Sequence, residues 1–428
     1  MPLVTDAGIS SLPDPAAVAA GLARTYPYAA GNITVTRRAP LLMPGSSTNY
    51  SWWSSALSQL EATRVQEDAT AFYFGFTSGP SSDNVVGLGY VPDHASGRGP
   101  TSALGLDAGA TGIGSADPFG NVWPEWLTVL LHEVGHNHSL KHIACGPVAN
   151  ADPSYPYPNG DLGPQSIYSS VYGDTQLGRL SQPMATNTSG KYERMKDVMS
   201  YCDGVWFSDF SYVRAQQFAE AHSALNAQAG ALVAKATKAA PGNGYLSISG
   251  SIDANGVQLR APVASSARPA MAAGRAPYIL RVLTVAGQTL DLPFDVTEVG
   301  DGKGNASHFW ISLDNPGDIA SIDVLLNGKV LPQAAARVVA AKLVAGAQAP
   351  ASLDWTLLNG RLELRWNAVA EPFVSVLHIA ANGVKTVLAT NLGGGAAALD
   401  VRALPAGGQF EVSLATTLKA RLVSIPQP

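Results

Sequence analysis

The segment "LLHEVGHNHSLKH" (130–142) places four of the chain's eight histidines within eleven positions, beside one glutamate. His132 and His136 are four residues apart, and on an α-helix such residues share a face one turn apart. Two imidazoles so placed can turn nitrogens toward one metal ion. Glu133, adjacent to the first, can reach a water on that ion without ligating it. A catalytic zinc takes three protein ligands and keeps its fourth position open. His142, six residues beyond His136, supplies the third if the helix ends near His138 and the chain turns back sharply. His138 faces away from that pair on a helix, which fits a solvent-facing or supporting role rather than ligation. If His142 is not the ligand, Glu193 is the fallback for a glutamate-type site. Asp152, Asn159 and Asp161, in the long loop that follows, could bind calcium, although turn chemistry accounts for Asp and Asn there equally well.

These side chains need a helix to hold them, and "NVWPEWLTVLLHEVGHNHS" (121–139) reads as one. Pro124 suits a first turn, and Leu127, Leu130, Leu131 and Val134 form a broad apolar stripe. Upstream, 14–26 and 51–68 have helical periodicity, while "ITVTRR" (33–38), "TAFYFGF" (70–76) and "VVGLGYV" (85–91) read as strands. A glycine-rich passage (97–120) leads into the histidine segment. Its "GATGIGS" (109–115) lacks the Gly-Lys-Ser/Thr of a phosphate loop. The first 225 residues therefore read as one mixed α/β domain, and Ala-rich 226–244 as a linker. Beyond it, Asn-Gly pairs at Asn255, Asn327, Asn359 and Asn382 signal hairpins in two all-β, sandwich-like modules, 245–340 and 350–428. The second module is expected to be immunoglobulin- or fibronectin III-like. A second Ala-rich stretch (332–352) separates them. His308 and His378 stand alone in these modules and read as structural.

The bulk numbers agree with a multidomain globular protein. With 428 residues the chain exceeds one ordinary core, and 46% hydrophobic against 14% charged residues excludes disorder. A net charge of −5 without a Lys/Arg run gives no footprint for nucleic acid or anionic membrane. No apolar run approaches the roughly 18 residues of a membrane span. The start, "MPLVTDAGISSLPDP", shows no signal-peptide pattern, as expected of a mature form or of export by another route. Cys145 and Cys202 are either two buried thiols or one disulfide.

At this point the histidine segment resembles the metzincin zinc metallopeptidases, whose pattern is H-E-x-x-H-x-x-G-x-x-H followed by a Met-turn. Ser139 stands at the glycine position, where a left-handed backbone costs a non-glycine residue about 1 kcal/mol. The resemblance extends to bacterial secreted proteases of the dictomallein/StcE-like group through "HEVGHN", and to some other bacterial relatives through "YPYPNGDLG" (155–163), "DVMSYC" (197–202) and "WFSD" (206–209). It covers roughly residues 10 to 220. It implies an α+β catalytic domain with a twisted sheet and an active-site helix. It also implies Met199 as the Met-turn methionine and Tyr201 as a labile fifth ligand that stabilises the oxyanion. With those roles assigned, Cys145 and Cys202 each follow a motif residue by three positions. A disulfide between them would tie the third ligand to the Met-turn, be worth about 4 kcal/mol in loop entropy, and imply an oxidising compartment.

The expected activity is that of a secreted, monomeric, extracellular bacterial zinc endopeptidase acting on proteins or glycoproteins. Three neutral imidazoles would hold one zinc ion, and Glu133 would take the proton of its activated water as general base. The strand at 85–91 is expected to be the sheet edge on which an extended peptide pairs. The alternative is an adhesin or glycan-binding protein whose zinc domain is not catalytic.

Overall fold

The computed structural model describes residues 1–79, 83–110, 112–116, 122–148, 150–163, 184–186, 192–202, 204, 206–233, 244–269, 274–275, 277–301, 306–333 and 353–427. It is a mixed α/β structure, mostly β-sheet, with four α-helices among the described residues. Helix α1 (Pro15–Thr25) starts where Asp14 accepts a hydrogen bond from the Ala16 amide, with proline in the first turn. Helix α2 (Tyr50–Glu67) is capped in the same way by Asn49, which accepts from the Trp52 amide at 2.9 Å. The histidine helix is α3 (Glu125–Asn137), and α4 runs from Asp209 to Val233. Helix α4 thus continues into the stretch read as a linker. Residues 234–243 lie outside the described residues, as does most of the second Ala-rich stretch.

Strands β1 (Leu3–Thr5), β2 (Leu41–Leu42), β3 (Tyr73–Thr77), β4 (Gly87–Val91) and β5 (Ser102–Leu106) belong to the first part of the chain. Strand β3 runs parallel to β5, and β4 antiparallel to it. Two expectations fail here. "ITVTRR" is not a strand: it precedes Pro40, and its arginines anchor it sideways, Arg37 to the Pro13 carbonyl and Arg38 to Glu67 and the Val387 carbonyl. The glycine-rich passage, conversely, contains β5, a fully buried strand whose small residues lie beneath α2 and α3.

The sheets run across the expected module boundaries. In the second part of the chain, β6 (Tyr245–Asp253) pairs with β8 (Ser307–Asp314), and the short β7 (Thr297–Val299) bridges β8 to β4. One eight-stranded sheet therefore continues from the histidine region into the middle of the chain. Strand β9 (Lys385–Leu392) meets β2, joining the N-terminal strands to the sheet of the last β region. Helix α2 fills the angle between these layers. Trp53, Leu57 and Leu60 are fully buried and pack with Leu88, Leu104, Leu377 and Val387. The later β regions have their own cores, around Val282 and Phe309 and around Trp366 and Phe410. Two of the four Asn-Gly pairs make the expected turn, while Asn255 and Asn382 do not take positive φ. At Asn327-Gly328 and Asn359-Gly360 both residues take positive φ, 50° and 79° in the first and 52° and 72° in the second.

His308 is buried where β8 crosses β4, hydrogen-bonded to the Tyr90 hydroxyl and at 3.1 Å to Ser54 Oγ. Burial holds its imidazole neutral, with the pKa down to about 3. Because this lies below the unfolded value of about 6.5, the unfolded chain takes up the proton first. Stability present above pH ~6.5 is lost as pH falls toward 3, at up to about 1.4 kcal/mol per pH unit for this group. Urea denaturation at pH 7, 6 and 5 should show that loss, and His308→Gln should flatten it by about one proton's worth.

Candidate metal centre

The helix α3 buries Trp126, Leu127, Leu130, Leu131 and Val134 in the core beneath it, which leaves His132 and His136 on the opposite face. Their ring centroids are 4.9 Å apart. The helix then stops as expected. His138 is its C-cap, and the Leu140 amide bonds back to the Gly135 carbonyl at 3.1 Å. Ser139 takes φ 63°, the left-handed conformation for which the family pattern has glycine. Its hydroxyl donates to the Pro92 carbonyl at 2.7 Å, a bond glycine could not make, which offsets the backbone cost. The reversal brings His142 to centroid distances of 5.4 Å from His132 and 4.8 Å from His136.

Two carbonyls orient the first pair. His132 Nδ1–H donates to Val198 O and His136 Nδ1–H to Leu140 O, each at 2.8 Å. A neutral imidazole has one donor and one acceptor nitrogen, so both Nε2 lone pairs are left pointing inward. Neither Nε2 has a hydrogen-bond partner, and both are buried. Burial above all, with the neighbouring imidazoles adding to it, keeps His132 neutral with its pKa down to about 3. That is the protonation state a metal requires.

The fourth member was not among the expected residues. Asp301, in the turn after β7, places Oδ1 2.7 Å from His142 Nε2, and Oδ2 3.3 Å from His136 Nε2 and 3.6 Å from His132 Nε2. The ligand atoms of His132, His136, His142 and Asp301 all lie within 4.8 Å of one another, and the group could hold a metal ion. Ligands about 2.0–2.1 Å from a tetrahedral ion lie about 3.3 Å from each other, close to two of these separations. Lone pairs facing lone pairs at this range repel unless a cation lies between them, so the donor set fits a metal. Nothing in the local sequence around Asp301 pointed to it. Glu193, the fallback ligand, lies in the strand Tyr192–Arg194 rather than in a loop.

Glu133 is buried beside the cluster, and its Oε2 has no hydrogen-bond partner. Burial first, and then the Asp301 carboxylate, pushes its pKa well above the ordinary carboxylate range. Strand β4 can lie this close only because Gly87 has no side chain; a Cβ there would meet Glu133 Oε1 at 2.4 Å. Met199 is fully buried under α3, and a Cβ on Gly135 would meet its Sδ at 2.3 Å. The turn that carries it is built around Asp197, whose carboxylate accepts from the Met199 and Ser208 amides and from the Ser208 and Ser211 hydroxyls at 2.7–2.9 Å. Tyr201 is 44% exposed, with its hydroxyl 3.3 Å from His142 Nε2 and hydrogen-bonded to Asp301 Oδ1.

The remaining candidates lie outside this cluster. His138 is buried rather than solvent-facing: Nδ1–H donates to Val134 O, Nε2 accepts from the Tyr28 hydroxyl at 2.7 Å, and Phe72 stacks on the ring. Asp152 binds its own turn at Ser154, Asp161 is paired with Arg194 and Lys196, and Asn159 occupies a positive-φ turn position. The oxygens of Asp152 and Asp161 thus have other partners than calcium. Cys145 and Cys202 form a disulfide with Cα atoms 5.7 Å apart.

Comparison with known proteins adds little. No family model matches the chain, and no curated protein matches it. Among solved structures, a two-fibronectin type-III domain segment from chicken tenascin is similar at 11% identity over 40% of this chain and 89% of its own. With a TM-score of 0.15, that likeness carries no information about shape or activity.

The disulfide closes a 57-residue separation and joins the His142 segment to the Met199 turn. Replacing both cysteines by serine should lower stability by about 4 kcal/mol in chemical denaturation. It should also weaken Zn2+ binding about tenfold or more in calorimetric titration, because the third imidazole is no longer held against the turn that orients the first.

Proposed function

We propose that this protein is a secreted zinc-dependent endopeptidase of metzincin type that hydrolyses peptide bonds of proteins or glycoproteins. The observation that carries this reading is the convergence of three imidazoles on one point with a buried glutamate carboxylate beside it. Zinc held by His132, His136 and His142 would supply a Lewis acid and would lower the pKa of a bound water. A divalent cation beside it would favour the ionised form of Glu133, which would then take the proton of the attacking water and pass it to the departing amine nitrogen. The Tyr201 hydroxyl donates to the oxygen of the tetrahedral adduct. The edge of strand β4 that β7 covers in this fold would, once uncovered, offer backbone groups to an extended peptide, with main-chain pairing giving affinity and side-chain pockets selectivity. The Cys145–Cys202 disulfide supports an oxidising, extracellular setting, and no helix among the described residues is long and apolar enough to cross a membrane.

One observation favours a second reading. Asp301 completes a four-ligand protein set, and structural zinc sites fill all four positions. On that reading the protein is an adhesin or glycan-binding protein with a non-catalytic metal domain, and Glu133 has no task. Because Asp301 faces the same corner, casein and mucin digestion is to be measured with the intact chain and with Asp301→Ala, each with and without Glu133→Gln. Product peptides from either background that fall by about 10²–10⁴-fold with Glu133→Gln support the hydrolase. No cleavage in any background, with the metal still bound, supports the adhesin.

A further inference from the structure

Asp301 reaches the histidines from outside the segment that contains them, and the route it takes is informative. Strand β7 runs antiparallel to β4, with Glu298 opposite Val91 and Val299 opposite Tyr90, and the Gly300 amide donates to the Gly89 carbonyl at 2.7 Å. The edge of β4 that the hydrolase reading assigns to an extended peptide is thus filled by the chain itself. Gly300 then passes directly over a ligand: a Cβ there would meet the His136 ring at 2.5 Å. The next residue sets its carboxylate against all three imidazoles and takes the Tyr201 hydroxyl as well. Every group the proposed chemistry needs is engaged by this one stretch, Glu133 included, since the Asp301 carboxylate adds to burial in raising its pKa.

Resting on the hydrolase reading, we infer that residues 297–301 are an intramolecular occupant of the substrate cleft. They lie on β4 as an extended peptide would and set the Asp301 carboxylate at the open corner of the metal site, so that the intact chain is latent. The carboxylate excludes the nucleophilic water from that corner. By accepting from Tyr201 it also removes the oxyanion donor. The hold is local, since β7 and β4 share only the pairs Glu298–Val91 and Val299–Tyr90 plus the Gly300 bond. Its strength comes from the tether: an attached competitor acts at an effective concentration of order millimolar, which a free peptide at micromolar concentration cannot match. A permanent structural ligand would not need the strand that mimics a peptide.

The test uses the full chain loaded with Co2+, with a small peptide hydroxamate as the probe. Visible absorption reports the ion's ligands, and calorimetry reports the affinity. The intact chain should hold its spectrum when the probe is added. Asp301→Ala should change spectrum and bind the probe about tenfold or more tightly. Gly300→Val keeps the carboxylate but puts a side chain into the space of the His136 ring, and should give the same gain. In both variants, amide exchange at 87–91 should speed up. Equal probe affinity in the intact chain and both variants overturns the inference. So does loss of Co2+ from Asp301→Ala with no gain in Gly300→Val, which would make Asp301 a resident ligand. Variants that bind the probe more tightly yet cleave nothing leave the occlusion standing and remove the hydrolase. An intact chain that cleaves casein as fast as the variants does the reverse.

Discussion

Two hydrogen bonds to backbone carbonyls set the character of the whole centre: His132 to Val198 O and His136 to Leu140 O. Each commits the single N–H of a neutral imidazole and leaves the other nitrogen as an acceptor aimed at the same point. Exposed rings could relieve the resulting lone-pair repulsion by turning away or by taking a proton. Here the rings are packed against each other, and burial resists protonation, holding His132 far below its ordinary pKa. What remains is a demand for a cation. A metal ion held there would be coupled to the folding of this region, because the geometry that makes the site is made by the fold.

The second of these carbonyls belongs to the helix's own C-terminal reversal; the first belongs to a turn more than sixty residues away. That turn is shaped by a buried carboxylate. Asp197 draws in two amides and two hydroxyls, from Met199 and from Ser208 and Ser211 at the start of α4. Burial pushes its pKa upward, and the four donors work against that. Met199 lies against Gly135 on the underside of α3, and the disulfide fixes the opposite flank of the turn to the chain that carries His142. Position of the first ligand, position of the third and the floor beneath the helix are therefore all referred to one turn.

Much of this was legible in the sequence because it is local. The spacing of His132 and His136 is a helical repeat, and the Leu and Val stripe that holds the helix down lies in the same window. The stop after His138, the left-handed Ser139 and the Asn-Gly turns at Asn327 and Asn359 are each determined within a few residues. Asp197 and Ser208 even lie inside the segments that carried the metzincin resemblance, although their bond is invisible without coordinates. What the sequence hid is long-range. Asp301 follows an ordinary short strand, in a run of Asp and Gly that reads as a turn, and only the pairing of β7 with β4 gives it meaning. Of the two roles read for His138, only the solvent-facing one fails, for the same reason: its helical angle is correct, but Tyr28 and Phe72 cover the face that a lone helix would show to water. The failure at 33–38 shows β propensity losing to side-chain anchoring by Arg37 and Arg38.

Continuity of the eight-stranded sheet gives the later β regions a task that the histidine region cannot perform alone. A free edge strand attracts any extended chain, and β4 has β5 on one side and the short β7 on the other. Covering it with β7 satisfies its outward backbone groups and puts the covering segment directly over the imidazoles. Protection of the edge and occupation of the metal corner are thus the same contact. Its balance is narrow by construction: the strand pairing is short, Gly300 has no side chain to lock it, and Asp301 is not fully buried. A longer strand or a bulkier residue at 300 would shift that balance in opposite directions, toward a closed structural site in the first case and toward an open cleft in the second.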